Sequence, residues 1–440
     1  MQGRYKTQLA EKIRKRQAKV GVMGLGYIGL PLALEFAKRG FSVIGIDIDA
    51  NRVRQIQEGK SYSPDVNGAE LKRLVRSGRL KATDGFELLE DLDCISICVP
   101  TPLIEEETPD ISYIIQAIRE VCKRRKKGQL ITLESSTYPG TTEEVVLPIL
   151  NKGGYQVGRD FFLAFSPERL DPGNVKYHTH ETPRVIGGVT TACGELAGLL
   201  YRQIVKDVTI VSSPRTAEMM KLLENAFRNV NIAFVNELAQ LCFRLGIDIW
   251  EVIEGAKTKP FGFMPFYPGP GVGGVCIPVA PRYILWKAHK EGIKLPLLER
   301  SCKVNSDMPL YVVERARKLL AEGQRRGRTL KGSKILLLGM AYKKDVADTR
   351  MTPALKILHC LRQQGAEVFF SDPYISKVLN HGEVLESKPL SPALLKGVDC
   401  TIIVTDHSNV DYRQVIRHSR LVLDTKNALK GLTGPNVFRL

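Results

Sequence analysis

Strand-length apolar runs alternate with helix-length amphipathic segments along most of the chain. The first run, Val20-Gly-Val-Met23, enters Gly24-Leu-Gly26-Tyr-Ile-Gly29; a helical pattern follows over Leu30 to Arg39, and Gly40 closes it in the C′ position. The next run, Ser42 to Ile46, ends in Asp47. Further runs from Asp93 to Val99, Leu130 to Leu133 and Phe162 to Phe165 each break into a polar or turn segment: Pro100-Thr-Pro102, Glu134 to Pro139 and Ser166-Pro-Glu-Arg169. Alternation of this kind predicts a parallel sheet covered by helices.

The pattern changes at Ser213-Pro214, an N-cap followed by an N1 proline. It opens a helix running to about Leu245, before Gly246, with a length of about 48 Å at 1.5 Å per residue. A second helix is expected from Ile249 to about Ala256, then a glycine- and proline-rich loop from Gly269 to Pro281, then helical segments from Arg282 to about Glu322. Gln324-Arg-Arg-Gly-Arg328 reads as a charged linker. Beyond it a fresh α/β pattern begins, with strands from Lys334, Glu367, Cys400 and Leu421 and a helix from Pro353 to Gln364, but no G-x-G-x-x-G. The expected fold class is α/β: two Rossmann-like domains with parallel sheets, joined by a long central helix and a helical middle region. The expected divisions are a basic N-terminal segment (1–18), a dinucleotide-binding domain (19–212), the central helix and helical region with the glycine loop (213–325), and a second Rossmann-like domain (326–440).

Composition narrows the class. The 440 residues are 43% hydrophobic and 25% charged, ordinary for a globular protein with real cores. No apolar run reaches the length of a membrane span, and the basic start of the chain lacks the apolar region of a signal peptide. Nine scattered cysteines without framework spacing suit a reducing compartment, so a cytoplasmic protein is expected. The formal net charge of +17 fits nucleic acid, an anionic surface or a small polyanionic substrate. No aromatic-basic motif accompanies it, so neither nucleic acid nor membrane is expected as a partner. The densest run, Lys123-Arg-Arg-Lys-Lys127, reads as a solvated helix end. His178 and His180 have no supporting carboxylate spacing, and no metal is expected.

The glycine motif has a specific physical logic. Gly24 makes the tight turn, Gly26 admits a pyrophosphate, Gly29 lets helix and strand pack closely, and Asp47 accepts from the adenosine ribose hydroxyls. An acid at that point repels a 2′-phosphate, so NAD is favoured over NADP. Strand ends in such sheets face the ligand, which brings Thr101, Thr137 and Glu168 to the same rim. On the long helix Lys221, Asn225 and Asn229 recur at helical spacing on one face, either a wet stripe or a polar site. Glu224 and Arg228 read as a solvent-side ion pair. Phe261-Gly-Phe-Met-Pro-Phe-Tyr267 suits either a clamp for a base or sugar, or core. In the loop Gly269-Pro-Gly-Val-Gly-Gly-Val-Cys276, closely spaced glycines allow near approach to a ligand directly before one thiol.

Read in this order, the motifs resemble the UDP-sugar 6-dehydrogenase family, the NAD-dependent enzymes that oxidise the C6 alcohol of a UDP-hexose to a carboxylate. The resemblance runs from about Lys19 onward. It rests on the glycine motif, Val99-Pro-Thr-Pro102, Ser136-Thr137, Ser166 to Gly173, Pro183 to Gly188, Glu218 to Glu237 around Lys221-Leu-Leu-Glu-Asn225, the Cys276 loop, Gly339 to Asp345 and Asp348-Thr-Arg350. The stretch Phe261 to Gly271 is most similar to the branch acting on UDP-N-acetylhexosamines. The resemblance implies that Lys221 and Asn225, with a water, receive the C6 hydroxyl proton, and that Cys276 captures the aldehyde as a thiohemiacetal that becomes a thioester and is hydrolysed. It implies proton transfer by Glu168 and water orientation by Thr137. For the cofactor it implies Gly24, Gly26, Tyr27, Ile28, Gly29, Asp47, Arg52, Thr101, Thr137 and Arg350. For a UDP-sugar substrate it implies Glu168, Arg169, Leu170, Lys221, Asn225, Phe266, Tyr267, Gly273, Tyr342 and Lys343, and it implies a homodimer. The chain departs from the family at Val275 and Ala280, where this branch carries His and Asp. A methyl at 280 supports neither lysine nor water, so the same fold with an altered outcome is the alternative: one oxidation only, a covalent stall, or no catalysis.

Overall fold

The computed structural model describes residues 3–63, 66–105, 107–169, 179–322 and 329–440. The expected substrate residue Leu170, His178 and the expected linker at 324–328 lie outside the described residues. The chain divides into two compact units: Met1–Glu224 with Arg282–Ile293, and Asn225–Pro281 with Lys294–Leu440.

The first unit is built on an eight-stranded sheet: β1 (Lys19–Met23), β2 (Ser42–Ile46), β3 (Leu80–Thr83), β4 (Cys94–Ile97), β5 (Leu130–Leu133), β6 (Phe162–Phe165), β7 (Arg184–Gly188) and β8 (Val208–Val211). Its spatial order is β8-β7-β6-β5-β4-β1-β2-β3. The chain reverses direction across the sheet between β1 and β4, and their carboxyl ends frame a ligand crevice. All pairings are parallel except β6 with β7, where Phe165 faces Gly187 in an antiparallel register. Apolar run length cannot reveal that exception, because a buried strand reads the same in either direction. The central strands are buried on both faces, between one core containing Val20, Leu32, Phe36 and Leu200 and another containing Ile95, Ile118, Leu133 and Leu163. At about 1.5–3 kcal/mol for each large apolar side chain, these two layers supply the main drive for folding.

A helix the sequence reading does not anticipate, α1 (Arg4–Arg14), packs Leu9, Ala10 and Ile13 into the first of these cores. Its Lys12 meets Asp93 at 2.7 Å, and the same carboxylate accepts from the backbone nitrogen of Lys19 at 2.9 Å. The basic run at Lys123–Lys127 is likewise more engaged than expected. Lys126 and Lys127 lie 3.6 and 3.5 Å from Asp93 and Asp160, and the Arg125 guanidinium stacks on Tyr155.

The second unit holds a five-stranded parallel sheet of β9 (Lys334–Leu338), β10 (Glu367–Ser371), β11 (Cys400–Ile403), β12 (Val422–Asp424) and β13 (Val437–Arg439), ordered β10-β9-β11-β12-β13. The last strand was not anticipated. The helices of the middle region run as expected over Pro214–Leu245 and Ile249–Ala256, with a break between Ala280–Lys290 and Pro296–Glu322. Along the long helix the supposed Glu224–Arg228 pair is replaced: Glu224 accepts from Arg169 at 2.6 Å. Among the described residues, no helix is long and apolar enough to cross a membrane.

Candidate active site

In the first unit, β1 runs into Gly24, and helix α2 (Gly29–Lys38) begins five residues later. A Cβ at Gly29 would lie 1.8 Å from the Gly24 carbonyl oxygen, so no side chain fits where turn and helix cross. Above Gly26, by contrast, a Cβ would meet nothing within 4 Å, which leaves open space over the helix N-terminus. Tyr27 is partly exposed there, and Ile28 is the N-cap residue. Asp47 is 6% exposed and accepts from the Leu25 nitrogen at 2.7 Å and the Asp49 nitrogen at 2.9 Å, with Arg52 3.4 Å away. Two backbone donors leave acceptor capacity on this carboxylate for a diol. Unfilled helix N–H groups, room above Gly26 and a fixed acid at the edge fit a dinucleotide.

Across the sheet, Thr101 donates to the Ser136 carbonyl at 2.6 Å, and the Thr137 hydroxyl pairs with that of Thr141 at 2.7 Å. Glu168 is buried and accepts from the Arg169 nitrogen at 2.7 Å. Sequence reasoning missed what holds it. Arg184, inside the buried strand β7, donates to both Glu168 and Glu134, and Tyr201 also donates to Glu134. Burial pushes the Glu134 carboxyl up against the pull of Arg184. The same burial opposes the charge on Arg184, but Glu168 and Glu134 outweigh it and raise its pKa. An arginine within an apolar strand was the available signal. Removing it would take an ion pair away from each of two buried carboxylates, a change of the kind that costs about 3–5 kcal/mol.

The row on the long helix is largely shielded from water rather than a wet stripe. Lys221 and Asn225 are 9% and 7% exposed, yet neither makes a hydrogen bond or ion pair among the described residues. The acids around Lys221 are occupied elsewhere, Glu224 with Arg169 and Glu218 with the backbone at Gly140 and Thr142. A nearly buried ammonium without a counter-ion is costly to maintain unless a ligand completes it. Asn229 is satisfied within the second unit, accepting from Ser301 at 3.0 Å.

In the second unit, Cys276 is the one exposed cysteine of the nine. Burial pushes the Cys400 thiol up to about 12, and Cys94 and Cys98 are raised by the same cause, so those thiols stay protonated. The Cys276 loop is held by Gly274 donating to the Arg350 carbonyl at 3.0 Å, and Gly274 has φ +80° with its Cβ position only 2.8 Å from the Tyr342 ring. Gly273 packs equally close to Tyr342. Ala280 is buried, opens the helix Ala280–Lys290 and donates its N–H to the Cys276 carbonyl at 3.0 Å. Phe266 packs edge-on against Phe227; Tyr267 stacks on Trp250 and donates to Glu254 at 2.8 Å. Arg350 makes a bidentate pair with Asp348. Beyond the carboxyl ends of β9, β11 and β12 lies a cavity of about 170 Å³ lined by Gly271, Tyr342, Lys343, Lys344, Asp406 and Lys426, among others. Three lysines against one aspartate suit it to an anionic ligand.

Comparison with known proteins agrees with this geometry. Models of the UDP-glucose/GDP-mannose dehydrogenase family match in chain order: the NAD-binding domain over residues 18–205, the central domain over 215–307 and the UDP-binding domain over 336–431. The UDP-N-acetyl-D-mannosamine dehydrogenase of Pyrococcus horikoshii is 37% identical over 430 residues, covering 96% of this chain and 98% of that protein. The chain belongs to the UDP-glucose/GDP-mannose dehydrogenase family. A solved structure of the UDP-D-ManNAc dehydrogenase from Pyrococcus horikoshii superposes with a TM-score of 0.87 at 34% identity, over 96% of this chain and 98% of that one. The UDP-N-acetyl-D-glucosamine 6-dehydrogenase of Pseudomonas aeruginosa is 37% identical over 363 residues, 82% of this chain and 84% of that protein. As a member of this family the chain is an NAD-dependent UDP-sugar dehydrogenase. The Gly24–Gly29 turn lies within the NAD-binding match, and most of the lysine-lined cavity within the UDP-binding match.

Proposed function

We propose that this dehydrogenase oxidises the C6 alcohol of a UDP-N-acetylhexosamine to the uronic acid, with Cys276 as covalent nucleophile. The carrying observation is the pair Lys221 and Asn225, nearly buried and with side chains unpartnered among the described residues, on one helix face in a chain whose one exposed thiol sits on a glycine loop. The relatives named for UDP-N-acetyl sugars support the substrate class. NAD, bound afresh for each oxidation, supplies the acceptor for one of the two hydrides that leave C6 each time. Lys221 and Asn225, with a water, take the hydroxyl proton and steady the negative oxygen. The Cys276 thiolate adds to the aldehyde carbon to form a thiohemiacetal, whose oxidation leaves a thioester. Water oriented by Thr137 attacks the thioester, Glu168 takes its proton, and the carboxylate and free thiol are released.

Tyr342 and Lys343, with Phe266, Tyr267, Gly273 and Arg169, are assigned to the sugar nucleotide, and Tyr27, Ile28, Arg52, Thr101 and Arg350 to the cofactor side. The domain roles follow the same division: residues 19–212 for NAD, 213–325 for the catalytic thiol and dimer contacts, and 326–440 for UDP. A homodimer is supported by the exposed apolar face of the long helix, where Phe227, Phe234 and Leu241 recur every seven residues and Leu245 follows one turn on. Phe234→Asp is expected to yield monomer in light scattering. A cytoplasmic site suits the unpaired cysteines, and the excess of positive charge suits a diphosphate substrate.

Ala280 favours a second reading. A buried methyl at the helix start handles no proton, and loss of such a group slows its step by about 10²–10⁴-fold. On that reading the enzyme releases aldehyde or stalls as the thioester, and Ala280→Asp accelerates acid formation. Initial rates with UDP-N-acetylglucosamine, UDP-N-acetylmannosamine, UDP-N-acetylgalactosamine and UDP-glucose test the main proposal. An N-acetyl sugar is expected to lead in kcat/KM; preference for UDP-glucose, or no NADH with any of them, sinks it.

A further inference from the structure

Glu218 is fully buried, three residues before Lys221 on the same face of the long helix. Among the described residues its carboxylate makes no salt bridge, although the Arg215 guanidinium is near enough to feel its charge. It accepts instead from the Gly140 nitrogen at 2.6 Å, the Thr142 nitrogen at 2.9 Å and the Thr142 hydroxyl at 2.7 Å. Those groups open a helical segment, Thr141–Val146, wound with π-type hydrogen bonds, and Gly140 enters it at φ +103°. An anion there satisfies the orphan N–H groups and the dipole of that segment from a distant part of the chain. Thr141 then donates to the Tyr138 carbonyl at 2.8 Å and pairs with the Thr137 hydroxyl at 2.7 Å. The same loop packs Tyr138 against Trp286, ring centroids 4.6 Å apart.

We propose that Glu218 is a positioning residue that locks the Thr137 loop to the helix carrying Lys221, so that the water-orienting hydroxyl and the lysine keep one fixed relation during turnover. The inference rests on the role given to Thr137 above. Glu218→Gln places an amide NH₂ against backbone N–H donors and frees the loop while keeping size. A displacement of about 1 Å at a reacting group costs roughly 10²-fold in rate. The expected result is a fall of that order in kcat with KM for the UDP-sugar little changed, and no further fall when Glu218→Gln is combined with Thr137→Ala. A spectroscopic arm is independent of activity: in a Trp250→Phe background, used for emission only, Glu218→Gln should shift Trp286 fluorescence, because Tyr138 moves with the loop. A Glu218→Gln enzyme with wild-type kcat, losses that add to those of Thr137→Ala, or unshifted Trp286 emission would each overturn the proposal. Absence of turnover by the unmodified enzyme sinks the reading of Thr137 instead, and leaves the fluorescence arm to decide whether Glu218 holds the loop.

Discussion

In both units the first strand of the parallel sheet ends in a glycine held at positive φ, Gly24 at +90° and Gly339 at +93°. In each, the Cβ position is filled from across the topological switch, by the Cys98 carbonyl at 2.8 Å and by Thr405 at 2.6 Å. Each places an aspartate directly after its second strand, Asp47 and Asp372, and each aspartate accepts backbone N–H groups from the loop after the first strand. There the likeness stops. Asp47 takes two backbone donors and stands beside a half-buried Arg52. Asp372 takes four, from Met340, Ala341, Tyr374 and Ile375, and is sealed by buried His407 at 3.1 Å. Because His407 accepts from the Asp345 nitrogen through Nδ1, its proton sits on Nε2, toward Asp372. The first unit starts a helix at once and offers backbone N–H groups to an anion. The second runs from Met340 to Thr352 before its helix, and offers Lys343, Lys344 and Lys426 instead. One carboxylate position thus keeps acceptor capacity free in one unit and is filled as a structural clamp in the other.

The comparison breaks if the two units cannot be disabled separately. Gly29→Ala forces a methyl onto the Gly24 carbonyl, and is expected to weaken NAD by more than about 100-fold while UDP binding by calorimetry stays within about twofold. Loss of both affinities would show that the turn supports more than the cofactor. Asp372→Asn tests the clamp. Burial opposes the charge of Asp372, yet the hydrogen bonds from His407, Ala341 and Met340 hold its carboxyl below the usual range. Its stabilising contribution is therefore complete above the unfolded value of about 4 and is lost as pH falls through the lower folded value. Asp372→Asn should cost about 2–4 kcal/mol in urea unfolding between pH 5 and 8, with the difference from wild type shrinking below pH 4. A difference that grows in acid would reverse the sign and the assignment. Lys344→Ala should raise the Kd for UDP by ~10-fold at low ionic strength, less at high salt, and leave NAD unchanged. An unchanged Kd would remove the lysines from the second unit's chemistry.

The contrast also explains what could be read from the chain. The first site was legible because its chemistry is written in backbone permissions, glycines at fixed spacing followed by an acid. Lys221, Asn225 and Cys276 stood out because an ammonium, an amide and a lone thiol in those contexts are poor core material. The lysine-lined cavity assembles side chains from loops after three strands, and of its lining only Tyr342 and Lys343 were singled out, through the resemblance. Arg184 and Glu218 hid for the same reason: the partners of Glu218 lie 76 and 78 residues away. Neighbours in sequence also misled, since Glu224 chose Arg169 over Arg228. The longer apolar runs revealed five strands of the first sheet, but β3, β7 with its antiparallel entry, β8 and the short β13 escaped.

The central claim is a four-electron oxidation through Cys276, and the most direct test is the amount of NADH formed per UDP-N-acetylhexosamine consumed at completion, with the product weighed by mass spectrometry. The account predicts two NADH and a uronic acid. One NADH with released aldehyde, or none, would contradict it.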